Sequence, residues 1–271
     1  MNDKIILITG GTGTLGNAFI SEIYKKYKPK KVIIYSRDEF KQYEMSKKFP
    51  LKKFPSIRFF IGDVRDKNRL MSALRGVDLV IHAAALKHVP LAEYNPQECV
   101  KTNVLGAQNL IEACIENNVK KVIALSTDKA SNPINLYGAT KLVSDKLFIG
   151  SNILAAHVKT LFSVVRYGNV INSRGSVIPF FRSIAKNKKP LPITDVKMTR
   201  FFITIEEAVK LIINCFKIMK GGEIFIPKLA SVKIIDLAKV ISPKSSINII
   251  GVRPGEKLHE VLFSKDRKSV V

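Results

Sequence analysis

An apolar run of strand length, Ile5-Ile6-Leu7-Ile8-Thr9, stops on Gly10-Gly11-Thr12-Gly13-Thr14-Leu15-Gly16 and passes at once into an amphipathic stretch. No other segment restricts the possible folds as strongly. In a strand–turn–helix, glycines at 10, 13 and 16 have three separate uses. The first permits a tight turn, the second lets backbone approach a pyrophosphate, and the third lets the helix pack closely on the sheet. The free N–H groups and the positive dipole end of the helix then meet the phosphates. A glycine run in an arbitrary loop would signify only flexibility. In this context it reads as a dinucleotide site lined by Gly10, Thr12, Gly13, Thr14, Leu15 and Gly16.

The rest of the chain keeps the same rhythm. Strands are expected at 4–9, 31–36, 57–62, 78–84, 121–126 and 160–167, with helices at 14–27, 39–48, 66–75, 97–117, 134–150 and 176–187. Strand–helix–strand repetition at this spacing means parallel strands with crossover helices, an α/β fold with a Rossmann-type doubly wound parallel sheet. After about residue 170 the pattern loosens, with short strands at 201–204, 223–226 and 247–251, helices at 205–219 and 233–241, and prolines between them. The expected division is a nucleotide-binding Rossmann domain over 1–170 and a smaller, partly interleaved substrate lobe over 171–271. A chain of 271 residues, 46% of them hydrophobic, suffices for this core.

The second strand ends on Tyr35-Ser36-Arg37, with Lys41 one turn further on. A hydroxyl and two cations suit the 2′-phosphate of NADP, where an enzyme preferring NAD places a carboxylate for the ribose 2′-OH. Asp38 would meet that second requirement if the register shifted by two residues; the balance of charge favours NADP. Asp63 and Val64 end the third strand, where a carboxylate can bond the adenine amino group or cap the next helix. Ala83 closes the fourth strand with a side chain small enough to let the cofactor pass.

Tyr137 and Lys141 form a Tyr-x-x-x-Lys pair one helical turn apart, so both lie on one face. A phenol with pKa near 10 is a poor base at neutral pH, and a lysine ammonium beside it favours phenolate. The formal charge of +23 invites a nucleic-acid reading. The lysines, however, are scattered in pairs without a basic arm or an aromatic RNA-binding motif, and phosphate-bearing ligands suit the same field. Cys99, Cys114 and Cys215 are too widely spaced for a disulfide framework or zinc site, and no metal is expected. The four histidines suggest packing or solvent contact. No apolar run reaches the ~20 residues of a membrane span and no leader precedes the first strand, so a cytoplasmic protein is expected.

Glycine turn and Tyr-x-x-x-Lys together resemble the extended short-chain dehydrogenases/reductases that act on nucleotide sugars. Asp128-Lys129 after Thr127, with Lys87-His88-Val89-Pro90, Arg166-Tyr167-Gly168-Asn169-Val170, Arg174-Gly175-Ser176-Val177 and Arg253-Pro254-Gly255-Glu256-Lys257, narrows the resemblance. The pattern is similar to the inverting UDP-N-acetylglucosamine 4,6-dehydratases that open pseudaminic acid synthesis for flagellin glycosylation. Some related capsule enzymes carry Met in place of Tyr137. Relatives of this kind continue for some tens of residues beyond the Arg-Pro-Gly-Glu-Lys motif, so a chain ending at Val271 is expected to be shorter than they are.

The resemblance implies UDP-N-acetylglucosamine as substrate, NADP as cofactor and a homo-oligomer. Tyr137 would take the 4-OH proton and Lys129 the C5 proton. Asp128 would assist loss of the C6 hydroxyl, and Thr127 would bond a sugar hydroxyl. Asn169, Arg174 and Arg253 would hold the substrate, the arginines at its pyrophosphate, with Lys87 also carried over. Lysine acts as a base only if its pKa falls, through desolvation or a nearby cation. Read without the resemblance, Asp128 and Lys129 could equally form a solvated ion pair. A nucleotide-sugar epimerase would share Tyr-x-x-x-Lys but has no need of Asp128-Lys129. A non-catalytic NADP-sensing protein would tend to lose the Tyr/Lys pair.

Overall fold

Val, Ile and Leu fill the strands so densely that only a sheet covered on both faces can bury them. The computed structural model describes residues 1–173 and 175–263. Its large sheet uses β1 (Ile5–Thr9), β2 (Lys31–Ser36), β3 (Ile57–Ile61), β4 (Leu79–His82), β5 (Lys121–Thr127) and β6 (Leu161–Tyr167). Between them run α1 (Thr14–Lys26), α2 (Glu39–Lys48), α3 (Lys67–Ala73), α4 (Val89–Tyr94), α5 (Pro96–Val100), α6 (Gly106–Glu116) and α7 (Leu136–Leu154). Alternate residues of one strand serve opposite layers. Ile6 and Ile8 pack with Phe19, Ile20 and Ile23 of α1, whereas Leu7 packs with Leu70, Leu74 and Leu110 on the other side. Each such buried side chain stabilises the fold by about 1.5–3 kcal/mol.

Beyond β6 come β7 (Asn169–Val170), α8 (Val177–Lys186), β8 (Leu191–Ile193), β9 (Thr199–Ile203) and α9 (Ile205–Ile218). They are followed by β10 (Ile224–Phe225), β11 (Ala230–Lys233), α10 (Ile234–Ile241) and β12 (Ile247–Ile249). The large sheet runs β10-β6-β5-β4-β1-β2-β3, and every described pairing in it is parallel. This is the doubly wound Rossmann arrangement. Chain order reverses between β1 and β4, the position at which such sheets open a crevice at their carboxyl ends.

Residue 170 is not a clean divide. β10 adds to the edge of the large sheet beside β6, and α9 packs Val209, Ile212 and Phe216 into the layer that also holds α1. What stands apart is a small layer built from β11-β9-β7, β12-β8 and a core of Phe181, Leu191, Ile193, Met198, Ile234 and Ala238. The helix expected over 97–117 is also divided. Pro96 opens α5, a π-helical turn follows over Lys101–Leu105, and only then does α6 begin. The wider turn carries the fully buried Asn103, whose side chain hydrogen-bonds backbone outside the helix. The three cysteines are free and buried. Among the described residues no helix is long and apolar enough to cross a membrane.

Candidate active site

The parallel register places the carboxyl ends of β1, β2, β4, β5 and β6 along one edge, where the glycine turn, Ser36, Ala83 and Thr127 follow or end their strands. Gly10 adopts φ +63°, and a Cβ on it would lie 2.9 Å from the Ala84 backbone. Gly16 is equally obligatory, since its Cβ would stand 1.9 Å from the Gly11 carbonyl oxygen. Gly13 is the N-cap of α1 and offers no side chain to the first-turn N–H groups, which are left for a ligand. A bare, tightly wound backbone beside the small Ala83 and Ala84 fits a dinucleotide pyrophosphate. Thr12 is buried, with its hydroxyl 3.0 Å from that of Ser36.

The cations expected at a 2′-phosphate already have carboxylate partners. Arg37 is 3.5 Å from Asp63, and Lys41 is 2.5 Å from Asp38. Asp38 is also the N-cap of α2, accepting the Lys41 N–H at 2.9 Å. Asp63 accepts from Arg65 at 2.8 Å; these hydrogen bonds and charges outweigh its partial burial and hold its carboxyl below the usual range. Val64 points into the core, where a Cβ on Gly106 would meet it at 2.7 Å.

β5 ends on Thr127 and turns directly into a 3-10 helix over Asp128–Ala130. The Thr127 hydroxyl donates to Asp128 Oδ1 at 3.0 Å and accepts the Lys129 N–H at 3.3 Å. Asp128 is fully buried, and its Oδ1 also accepts from Lys129 Nζ at 3.1 Å. The first turn of α7 lies against this loop so tightly that a Cβ on Gly138 would stand 2.2 Å from the Lys129 carbonyl oxygen. Glycine after Tyr137 therefore lets the tyrosine helix and the Asp-Lys turn share one site.

Burial pushes the Tyr137 phenol above its ordinary value; Asp128, Tyr167 and Asp145 add to the rise and a hydrogen bond with Thr127 opposes it. The sequence expectation is the reverse, a phenol lowered by Lys141; in the structure desolvation is the largest influence on it. Lys141 is itself buried, and desolvation lowers its pKa against support from Asp145. Asp145 accepts from Ser126 Oγ at 2.7 Å and Arg166 Nη2 at 2.8 Å, all of them buried. Asn103 fixes the segment after β4, exchanging hydrogen bonds with Leu86 N and O at 2.8 and 2.9 Å and donating to Thr140 on α7 at 3.1 Å.

Sequence reasoning missed part of the site. Glu260 is buried, 3.4 Å from Lys129 Nζ, with Lys257 3.4 Å away on its other oxygen. The Arg-Pro-Gly-Glu-Lys motif marks the segment, but no periodicity could reveal that it returns to Lys129. The proposed substrate residues sit further out. Lys87 is exposed after β4, and Asn169 lies on β7, paired with Phe202 of β9. Arg253 is largely exposed and 2.5 Å from Glu256. Arg174 lies outside the described residues.

A parallel sheet in this order, with a glycine turn at its switch point and a Tyr-x-x-x-Lys helix alongside, has the architecture of the extended short-chain dehydrogenases/reductases. Within that class, the chain belongs to the polysaccharide biosynthesis protein family, whose model matches residues 6–270. It is 60% identical over 266 residues to the inverting UDP-N-acetylglucosamine 4,6-dehydratase of Campylobacter jejuni subsp. jejuni serotype O:2, covering 98% of this chain and 79% of that protein. It is 45% identical over 271 residues to UDP-glucose 4-epimerase of Rickettsia bellii strain RML369-C, covering 97% and 79%. Among solved structures, Pen from Bacillus thuringiensis superimposes with a TM-score of 0.93 at 43% identity, covering 98% of this chain and 85% of the other.

Proposed function

We propose that the chain is a nucleotide-sugar hydro-lyase, a UDP-N-acetylglucosamine 4,6-dehydratase that inverts C5. It would release water and a UDP-2-acetamido-2,6-dideoxy-L-arabino-4-hexulose, the first step towards pseudaminic acid and flagellin glycosylation. The observation that carries the reading is the junction of two acid–base pairs. Asp128 and Lys129 are held against Tyr137 by the close approach at Gly138. An epimerase acting at C4 needs the tyrosine but gives the second pair nothing to do. The 60% identity to the Campylobacter dehydratase, against 45% to the Rickettsia epimerase, points the same way.

Gly10 to Gly16 would hold the pyrophosphate of a nicotinamide cofactor, and Ser36, Arg37 and Lys41 its 2′-phosphate, which makes NADP the fitting form. Asp38, engaged in capping α2, is a poorer ligand for a ribose 2′-OH. When bound, this cofactor supplies hydride acceptance from sugar C4 and hydride return to C6. Tyr137 takes the 4-OH proton, with Thr127 bonding the same hydroxyl or its neighbour. Positive charge from Lys141 would favour the phenolate that burial opposes. Once C4 is a ketone the C5 proton is acidic. Lys129 removes it, and Asp128 gives a proton to the departing C6 hydroxyl, which leaves as water. Return of a proton to the opposite face of C5 inverts that centre.

Asn169, Arg174, Arg253 and Lys87 are assigned to the substrate, held between the edge of the large sheet and the small layer that carries β7 and β9. A cytoplasmic homo-oligomer is part of the same reading, and the exposed apolar side chains Tyr94, Leu105, Val143 and Leu154 would suit a second copy. Incubation with UDP-N-acetylglucosamine in deuterated water tests the whole. The expected product has lost one water and carries a solvent deuteron at an inverted C5. Lys129→Met should abolish that product while leaving cofactor binding intact. A 4-epimer of unchanged mass would overturn the assignment.

A further inference from the structure

Resting on the reading of Lys129 as the C5 base, we propose that Glu260 and Lys257 are positioning residues that set its proton affinity from opposite sides. Lys129 Nζ is 3.1 Å from Asp128 Oδ1 and 3.4 Å from Glu260 Oε1, and the two carboxylate side chains are 0% and 2% exposed. Glu260 Oε2 is 3.4 Å from Lys257 Nζ and has no hydrogen-bond partner among the described residues. Among the described residues, the charged groups paired with Lys129 or with its partners are Asp128 on its own turn and Glu260 and Lys257 on the C-terminal segment. Beyond Asp128 stand the phenols of Tyr137 on α7 and Tyr167 at the end of β6.

Two buried carboxylates facing one ammonium favour its charged form, and a lysine that stays charged cannot remove a proton from carbon. Lys257 changes the balance by drawing on the same Glu260 carboxylate. With both lysines protonated, the four groups are formally neutral. With Lys129 neutral and Asp128 holding the proton it gives to the C6 hydroxyl they are neutral again, and the opposite charges of Glu260 and Lys257 act on Lys129 in opposite senses. Glu260 thus raises its proton affinity and Lys257 brings it back down. Anchors on either side hold the arrangement. Asn135 Nδ2 donates to the Gly255 carbonyl and Lys257 Nζ to that of Ser131, both at 2.7 Å, and Arg166 Nη1 donates to that of Leu262 at 3.0 Å.

The test is the pH dependence of single-turnover water loss from UDP-N-acetylglucosamine by the full chain. Glu260→Gln should move the acidic limb down by about one unit or more, the usual effect of a facing charge. Lys257→Met should move it up. Glu260→Asp and Lys257→Arg, which keep the charges, should restore its position. A strap that merely held structure would lower the rate at every pH and leave the limb in place, and that result overturns the proposal. Should Glu260→Gln prove unfolded by circular dichroism, the limb of Lys257→Met decides alone: a rise supports the proposal and no rise refutes it. Full water loss by Lys129→Met would instead remove the base itself, a failure of the parent reading recognisable without either limb.

Discussion

Replacement of Arg166 by methionine should be among the most damaging changes in the protein, because it strands a charge rather than a contact. Arg166 is 1% exposed and donates to Asp145 Oδ2 at 2.8 Å and to the Leu262 carbonyl at 3.0 Å. Removing one partner of a buried pair costs about 3–5 kcal/mol, since the remaining charge has lost both water and counterion. Asp145→Asn leaves a buried guanidinium in the same position and should cost a similar amount. It also withdraws the support that Asp145 gives the Lys141 ammonium. The double variant Arg166→Met/Asp145→Asn strands neither ion, so about 2–3 kcal/mol should return as coupling between contacting residues. Urea unfolding reads this directly. With a slope of ~3 kcal/mol/M, a loss of ~4 kcal/mol moves the midpoint down by ~1.3 M, and the double variant should fall well short of twice that shift. A double variant as unstable as the two single losses combined would show no coupling and refute the reasoning, as would an Arg166→Met midpoint shifted by less than ~0.3 M, equivalent to ~1 kcal/mol on the same slope.

Gly138→Ala forces a methyl to 2.2 Å from the Lys129 carbonyl. Overpacking of this kind costs about 1–3 kcal/mol, so calorimetry should record a Tm lowered by several degrees, with turnover falling more than cofactor affinity. His82 is buried, and desolvation together with the charge of Lys141 pushes its pKa down to about 3. The unfolded imidazole, near pKa 6.5, therefore binds the proton that the folded one refuses, and stability falls as pH drops from 6.5 towards 3. Between pH 7 and 4.5 this amounts to roughly 3 kcal/mol, and His82→Asn should flatten the urea-stability profile by about that much relative to the unmodified chain. Arg37→Leu should erase a preference for NADP over NAD of about tenfold, or ~1.4 kcal/mol, in calorimetric titration; equal affinities in the unmodified protein would return Asp38 to the ribose.

Some features belong to the sequence because their cause is local. Ile5-Ile6-Leu7-Ile8-Thr9 ending on glycines at 10, 13 and 16 admits few backbone paths, and the structure needs those glycines for close approaches to Ala84 and Gly11 that any Cβ would block. Tyr137 and Lys141 share a face because four residues make about one helical turn. The alternation of strand and helix likewise anticipates the doubly wound sheet. Tertiary structure decided the features that depend on remote partners. Asn103 was invisible as a brace for Leu86 because a π-helical turn leaves no mark on hydrophobic periodicity. The strand expected at 223–226 forms as β10, but its place at the edge of the large sheet beside β6 follows from no local signal. Arg37 and Lys41 read as free cations until the folded chain brought Asp63 to the first, and α2 settled Asp38 beside the second. Glu260 lies more than one hundred residues from Lys129 in the chain and 3.4 Å away in space. Periodicity records which side chains avoid water; which buried charge meets which is settled only when distant segments pack and desolvation leaves each ion its nearest counterion.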